Sequence, residues 1–350
     1  MFAKQNLMFW FTASRPHSFI QSAMPFALGS LLGASTLLYS GANLAAIGLS
    51  IILALIGIVG ITCAHAGMNL FDDYFDMKKG AVEEREKLSD GGFRARMGKC
   101  KYLHDGAVSL DDTKRVATLF VVVALACALI IFAVRGWEIL LFAGITLILG
   151  LSYAGPPLRL SYHGFGELVI GILFGPVLVT AASFVVCGQL TMLALFSSIP
   201  IGLLVANIVH MHAVMDFGPD KAAKRKTFAI LLGSEHAGIA ANVTFVILAQ
   251  ATILVGIAIG FLPLFASLIV LTYPLSIVFI RQARSYVKKE KDEASFQPKR
   301  WMGRFDNWEK YQKDGLDWFM SRWLLARNLV TQVTVVLAIA AFTPWHVPWA

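Results

Sequence analysis

Read for hydrophobic and polar positions, the chain alternates apolar runs with short neutral turns and long charged connections. Runs long enough to span a bilayer, roughly 17–25 residues each, fall near 18–39, 44–68, 116–134, 137–153, 165–186, 192–212, 238–260, 262–280 and 322–342. The pattern predicts an all-α integral membrane bundle of about nine transmembrane helices, forming one membrane domain over 1–350. The first run contains Gln21, Ser22 and Pro25. Pro25 and Pro176 are expected to kink their helices, which a bundle tolerates when neighbours re-satisfy the freed carbonyls. There is no internal repeat. The N-terminal FWFTASRPHSF lacks the compact apolar core and small-residue site of a cleavable signal peptide.

Charge sharpens this picture. The connections 77–115, 213–236 and 281–321 are rich in Lys and Arg, whereas the turns near 40–43, 187–191 and 261–263 have none, and 135–137 has only Arg135. The positive-inside rule then places the basic loops in the cytoplasm, with the N-terminus inside and the C-terminus outside a cell (inner) membrane crossed many times. Composition agrees: 57% hydrophobic residues and 15% charged, with a mean hydropathy of +0.66, exceed what a soluble domain carries. The net charge of +8 sits in these loops and points to the bilayer surface, with no nucleic acid partner. Cys63, Cys100, Cys127 and Cys187 form no CxxC pair, which suggests neither disulfides nor a zinc site.

Candidate chemistry sits where apolar runs end. The run from 44 to 68 closes in NLFDDYFDMKKG, Asn69 to Gly80, with Asp72, Asp73 and Asp76 inside five residues. On a continuing helix these share one face. Like charges this close repel and pay desolvation near a bilayer, so a cation must sit among them. Clustered carboxylates with few other ligands suit Mg²⁺, which takes its remaining ligands from water and substrate phosphates; a solvated helix end is the bland alternative. A second cluster, Asp216 and Asp220, ends the run from 192 and is followed by Lys221, Lys224, Arg225 and Lys226. Gly218 and Pro219 lie between the two carboxylates, and Pro219 is expected to open a new helix. Two such clusters at membrane-length helix ends fit a diphosphate held through metal. A cation-coupled transporter, the rival of another class, would carry its charges nearer mid-membrane.

Three further stretches carry readings. YAGPPLRLSYHGFGE, Tyr153 to Glu167, is a turn that brings Tyr153, Arg159, Tyr162 and His163 to the cytoplasmic side, or else an interfacial aromatic and basic belt. In 77–115, Gly91, Gly92, Gly98 and Gly106 are hinge candidates for a partial cap over the site, with a floppy loop the alternative. In 281–322, Trp301, Phe305, Trp308 and Tyr311 recur at helical spacing among basic residues, the pattern of a helix lying in the headgroup region.

Taken in order, SRPHSF, NLFDDYFDMKKG, YAGPPLRLSYHGFGE and DFGPDKAAKRKTFAILLG resemble the motifs of the UbiA superfamily of intramembrane prenyltransferases, and most of all its dihydroxynaphthoate polyprenyltransferases. The resemblance covers roughly residues 12–240. It implies a helical bundle whose two Asp-rich motifs face each other and bind a polyprenyl diphosphate through Mg²⁺. The allylic C–O bond ionises there and an aromatic acceptor is alkylated. On this reading Asp72, Asp73, Asp76, Asp216 and Asp220 are metal ligands and catalytic, with Asn69 supporting. Lys79, Arg159, Lys221 and Arg225 contact the diphosphate, and Tyr153 and Tyr162 orient it or face the allylic carbons. The chain departs from the family at four places. Asp72-Asp73 stands where Asn-Asp is common, and Gly80 and Val82 replace a further acid for which Glu83 or Glu84 could substitute. His212, Ala213, Val214 and Met215 replace an Asn-Asn-x-Arg run before Asp216, and Lys224-Arg225 replaces Gly-Lys. The third bears on the acceptor, and makes His210 and His212 candidates for binding a hydroxylated aromatic, with dihydroxynaphthoate the best guess.

Overall fold

The computed structural model describes residues 6–78, 100–222, 225–288 and 296–343. Lys79, Glu83, Glu84, Gly91, Gly92, Gly98 and Lys224 lie outside the described residues. Helices α1 (Leu7–Ala13), α2 (Ile20–Tyr39) and α3 (Leu44–Lys78) come first. After a short α4 (Lys101–His104) follow α5 (Leu110–Arg135), α6 (Glu138–Ala154), α7 (Gly166–Cys187) and α8 (Met192–Met215). The short α9 (Phe217–Ala222) and α10 (Phe228–Leu231) lead to α11 (Glu235–Ala258), α12 (Leu264–Lys288), α13 (Trp308–Lys313) and α14 (Asp317–Ala341). Among the described residues eight helices are long and apolar enough to cross a membrane, and α6, with 17 residues, is a shorter apolar ninth.

Each predicted run is matched by a helix, with ends moved by a few residues. Helix α3 differs most, because it runs for 35 residues through the acidic motif to Lys78. At about 1.5 Å per residue it is some 50 Å long, well beyond the roughly 30 Å hydrocarbon core. Its last turns, which carry the carboxylates, therefore stand at one end of the bundle. Pro25 is accommodated within continuous α2, whereas Pro176 lies in a π-helical turn, Leu173–Val177, that interrupts α7. That turn absorbs the missing N–H and the ring clash.

The core is built around α8 and α14, which contribute most of the main buried cluster, including Ile201, Leu204, Met211, Leu325 and Leu329. Helix α8 crosses α7 at glycines: a Cβ on Gly202 would sit 2.5 Å from the Gly171 carbonyl oxygen. Helices α3 and α5 pack along each other, as do α2 and α7. At the end away from the acidic motifs, Arg135 donates to the Val185 carbonyl at 2.8 Å and to Ser50 Oγ at 2.9 Å. The carbonyls left unpaired as α7 ends thus gain a partner.

Two expectations are corrected. The helix after Asp216 opens at Phe217, two residues before Pro219. Proline is tolerated there because the first N–H groups of a helix have no intrahelical acceptor. The aromatic residues of 296–322 do not form one surface helix. Gly303 at φ 97° and Asn307 at φ 59° break the backbone, and Trp308 turns inward against Phe296 and Phe305 at centroid distances of 5.8 and 5.5 Å. Trp301 is half exposed.

Candidate active site

The acidic end of α3 is organised by a turn 57 residues earlier. Arg15 adopts a left-handed conformation, φ 63°, immediately before Pro16, a strained geometry for a side-chain-bearing residue. It sends its guanidinium into the carboxylates. Nη2 lies 3.2 Å from Asp73 Oδ1 and 3.5 Å from Asp72 Oδ2, and donates to the Asn69 carbonyl at 2.8 Å. Burial opposes the Arg15 charge, but Asp73 and Asp72 outweigh it, so its pKa lies above the ordinary value. Asn69 fixes this arrangement, because its Nδ2 donates to the Ser14 carbonyl at 2.8 Å and to Ser18 Oγ at 3.1 Å. Asn69 thus holds the turn that carries the cation.

From the other side α4 covers Asp73. The Tyr102 hydroxyl donates to Asp73 Oδ2 at 3.2 Å, and its ring packs edge-on against Phe9 and Trp10 of α1. Burial and the Asp73 charge push the Tyr102 phenol up from its usual range. Asp73 is 1% exposed and Asp76 0%, while the Asp72 side chain keeps 17%. Asp72 is the member that faces open space.

Tyr162 joins this cluster to the second one. Its hydroxyl donates to Asp76 Oδ1, and the Arg225 guanidinium lies 5.3 Å from its ring centroid. Arg225 Nη1 in turn stands 4.0 Å from Asp220 Oδ1, with its backbone N–H on the Asp220 carbonyl at 2.9 Å. A bridge between His163 and Lys226 ties the two backbones together, and Gly164 at φ 84° makes the turn that allows it. Asp216 closes α8, accepts the Asp220 N–H at 2.8 Å and lies 3.2 Å from His212 Nε2. Tyr153, at the end of α6, packs against Gly166 and lies within electrostatic range of Asp72, Asp76, Glu167 and Arg225.

The structure therefore gathers Asn69, Asp72, Asp73, Asp76, Tyr153, Tyr162, Asp216, Asp220, Arg225 and His212 at one end of the bundle. Arg159, on its turn, and Lys221, on the last turn of α9, are exposed. His210, fully buried, lies inside the bundle, with Nδ1 3.3 Å from Glu167 Oε1 and Nε2 3.0 Å from the Gly238 carbonyl. Sequence reasoning required a cation among the carboxylates but did not name Arg15, and it missed Tyr102. The only signal for Arg15 was its place in SRPHSF.

The carboxylate oxygens are hard donors of the kind Mg²⁺ prefers. Among the described residues no three His, Cys, Asp or Glu side chains converge closely enough to hold an ion alone. A cation here would complete its shell with water or ligand oxygens, which suits Mg²⁺. One turn before Asp72, Met68 lines an apolar cavity of about 140 Å³ between α3, α5, α6 and α7.

Comparison with known proteins gives this geometry relatives. The chain is 29% identical over 224 residues to the 1,4-dihydroxy-2-naphthoate octaprenyltransferase of Bacillus subtilis (strain 168), covering 64% of this chain and 66% of that protein. It therefore spans just under two thirds of that relative's length. In fold it resembles a digeranylgeranylglyceryl phosphate synthase, with TM-score 0.57, 13% identity and coverage of 96% of this chain and 98% of the other. It also resembles a UbiA homolog from Archaeoglobus fulgidus bound to GPP and Mg²⁺, with TM-score 0.53, 15% identity and coverage of 95% and 99%. The profile of the UbiA prenyltransferase family matches residues 23–303, and with most of its length inside that match the chain belongs to this family.

Proposed function

We propose that the protein transfers a prenyl group from a polyprenyl diphosphate to a hydroxylated aromatic acceptor, with 1,4-dihydroxy-2-naphthoate the first acceptor to test. The observation that carries this reading is the unbroken path Asp76–Tyr162–Arg225–Asp220, which joins two acidic helix ends, the first of them paired with Arg15. Asp72, Asp73, Asp76, Asp216 and Asp220 would hold Mg²⁺, which neutralises charge on a diphosphate leaving group. Arg15 and Arg225 add fixed positive charge where the diphosphate's negative charge develops as the allylic C–O bond breaks. The aromatic faces of Tyr153 and Tyr162 stabilise the allylic cation. The apolar cavity beginning at Met68 takes the start of the isoprenoid tail and keeps water from the cation. His212, beside Asp216 and 35% exposed, is placed to meet the acceptor. Positive-inside loops put the site on the cytoplasmic side of the cell membrane.

The test is to incubate purified protein with Mg²⁺, geranyl diphosphate and a panel of hydroxylated aromatics, following pyrophosphate and identifying products by mass. Magnesium-dependent, acceptor-dependent pyrophosphate release with a prenylated naphthalene product is expected. Uptake of a solute into vesicles with no pyrophosphate released would replace the enzyme by a transporter. Product formed only from a non-aromatic alcohol would overturn the acceptor.

A further inference from the structure

A second cavity, of about 480 Å³, opens between α7, α8 and α11 and is roofed by Phe228 and Leu231 of α10. It starts where Gly171 and Gly202 bring α7 and α8 together, and its size is that of a small-molecule site, roughly 300–1,000 Å³. Its mouth is apolar and outward-facing: Leu168 is 58% and Leu231 55% exposed, and in a membrane-spanning chain such residues face lipid. Its wall nevertheless carries a carboxyl group. The Glu167 side chain is 7% exposed and lines the cavity. Its Oε1 engages His210, and its Oε2 has no partner among the described residues.

Proton positions in this pair are constrained. The Gly238 carbonyl can only accept, so His210 Nε2 carries a hydrogen. Nδ1 engages Glu167 Oε1 at 3.3 Å, and Oε2, as a carboxyl oxygen, remains available as an acceptor. A neutral ligand with an O–H fits this wall. An anionic one finds no spare positive charge in an apolar groove and pays desolvation. The Phe228 and Phe245 rings, 5.3 and 5.7 Å from the His210 ring, offer aromatic faces beside that acceptor. Tyr153, which packs on Gly166, connects this wall to the acidic site.

We propose that the groove binds the prenylated aromatic product, in the form that carries a hydroxyl and no acidic group; from a dihydroxynaphthoate this form arises when the new C–C bond is made at the carboxylate-bearing carbon and the C–CO₂ bond breaks, its electron pair restoring the ring as CO₂ leaves. Its O–H donates to Glu167 Oε2, its ring lies by Phe228 and Phe245, and its tail runs out past Leu168 into the bilayer. The proposal rests on the prenyl-transfer reading for the tail and ring; the neutrality requirement comes from the groove itself.

The test is equilibrium binding to the full chain in nanodiscs, without prenyl diphosphate or Mg²⁺. The probes are 2-geranyl-1-naphthol, 2-geranylnaphthalene and 1,4-dihydroxy-2-naphthoate. The expected result is saturable binding of the geranylnaphthol, at least tenfold tighter than either other probe. Glu167→Leu should weaken it about tenfold or more, and so should Leu203→Trp, which fills the groove. Geranyl diphosphate binding with Mg²⁺ should stay within about twofold of wild type in Leu203→Trp, reporting an intact bundle if Glu167→Leu does not fold. Equal binding of geranylnaphthalene would make the groove an unspecific lipid surface, and equal, Leu203-sensitive binding of dihydroxynaphthoate would make it the acceptor's site; either overturns the proposal. So does geranylnaphthol binding unaffected by Leu203→Trp. Absence of turnover with groove binding intact would count against prenyl transfer alone.

Discussion

Arg15 answers a requirement the sequence sets but cannot resolve. Three carboxylates in five residues need a cation, yet nothing local says which one, because the contact closes over 57 residues and depends on a left-handed turn. Removing Arg15 strands the buried Asp73 charge, and breaking a buried pair costs several kcal/mol. The guanidinium keeps 24% exposure, so about 2 kcal/mol is expected for Arg15→Ala in detergent unfolding. Arg15→Ala combined with Asp73→Asn should recover part of that loss; a double variant less stable than both singles would refute the pairing. Asp73→Asn and Asp216→Asn should each lower turnover about a hundredfold or more, the cost of a lost ligand at a leaving group, in folded protein. Near-normal turnover in both at saturating Mg²⁺ would sink the two-cluster site. Tyr102 adds a pH signature. Its folded pKa is raised above the ordinary 10.0, so the folded state holds the phenolic proton more tightly than the unfolded chain does. The bond to Asp73 is therefore fully stabilising below about pH 10 and is lost as pH rises further. Stability measured from pH 8 to 11 should fall more in wild type than in Tyr102→Phe. The histidines show the limit of reading by spacing. His210 and His212 are two apart on one helix and so point in different directions, but which one faces the site depends on α11 and α14, invisible in a local pattern.

At the scale of elements, hydropathy located every long helix, because a bilayer demands continuous apolar length. It was less informative about what happens at helix ends and crossings. The aromatic spacing of Trp301, Phe305, Trp308 and Tyr311 looked helical, yet Gly303 and Asn307 at positive φ break the run, turning Phe305, Trp308 and Tyr311 against the core and leaving Trp301 half exposed. Small residues inside apolar runs were equally silent in the sequence, since a glycine at a crossing and one facing lipid look alike. The structure separates them. A Cβ at Gly202 would lie 2.5 Å from the Gly171 carbonyl oxygen, between two backbones that cannot yield, whereas at Gly48 nothing lies within 4 Å. Gly202→Ala should therefore destabilise the fold by about 2 kcal/mol or more through overpacking. Gly48→Ala, within α3, should be neutral or stabilising by up to about 1 kcal/mol. Equal unfolding midpoints for the two variants would show that the α7–α8 crossing is looser than drawn.

The whole molecule has two chemically different ends, and this asymmetry was legible from charge alone. Arg15, Asp72, Tyr102, Tyr162 and Arg225 share one end, while Arg135, Ser50 and Val186 meet at the other. Arg135 is the one basic residue in the otherwise neutral turns, and its guanidinium is committed to helix-end carbonyls of α7 and to Ser50. It reads as a structural clasp, so it does not count against the positive-inside assignment, which depends on the many Lys and Arg of the opposite loops. The positive-inside rule predicts an inside N-terminus, which would put the segment around α4 and the connection around α13 in the cytoplasm and the α2–α3 and α7–α8 turns outside. In a chain whose Cys63, Cys100, Cys127 and Cys187 have been replaced, single cysteines at Asp105 and Gln312 should react with a membrane-impermeant maleimide only after the inner face is opened. Cysteines at Ser40 and Gln189 should react in intact cells. All four positions are exposed, Ser40, Asp105 and Gln189 on short turns and Gln312 on the short helix α13, so accessibility reports the side of the membrane and not burial. Labelling of Asp105 and Ser40 from the same face would require an even number of crossings between them, against the single span α3 that separates these positions. A reversed pattern, with Asp105 and Gln312 outside, would leave the bundle intact but move the acidic site to the outer face, where a cytoplasmic prenyl diphosphate could not reach it.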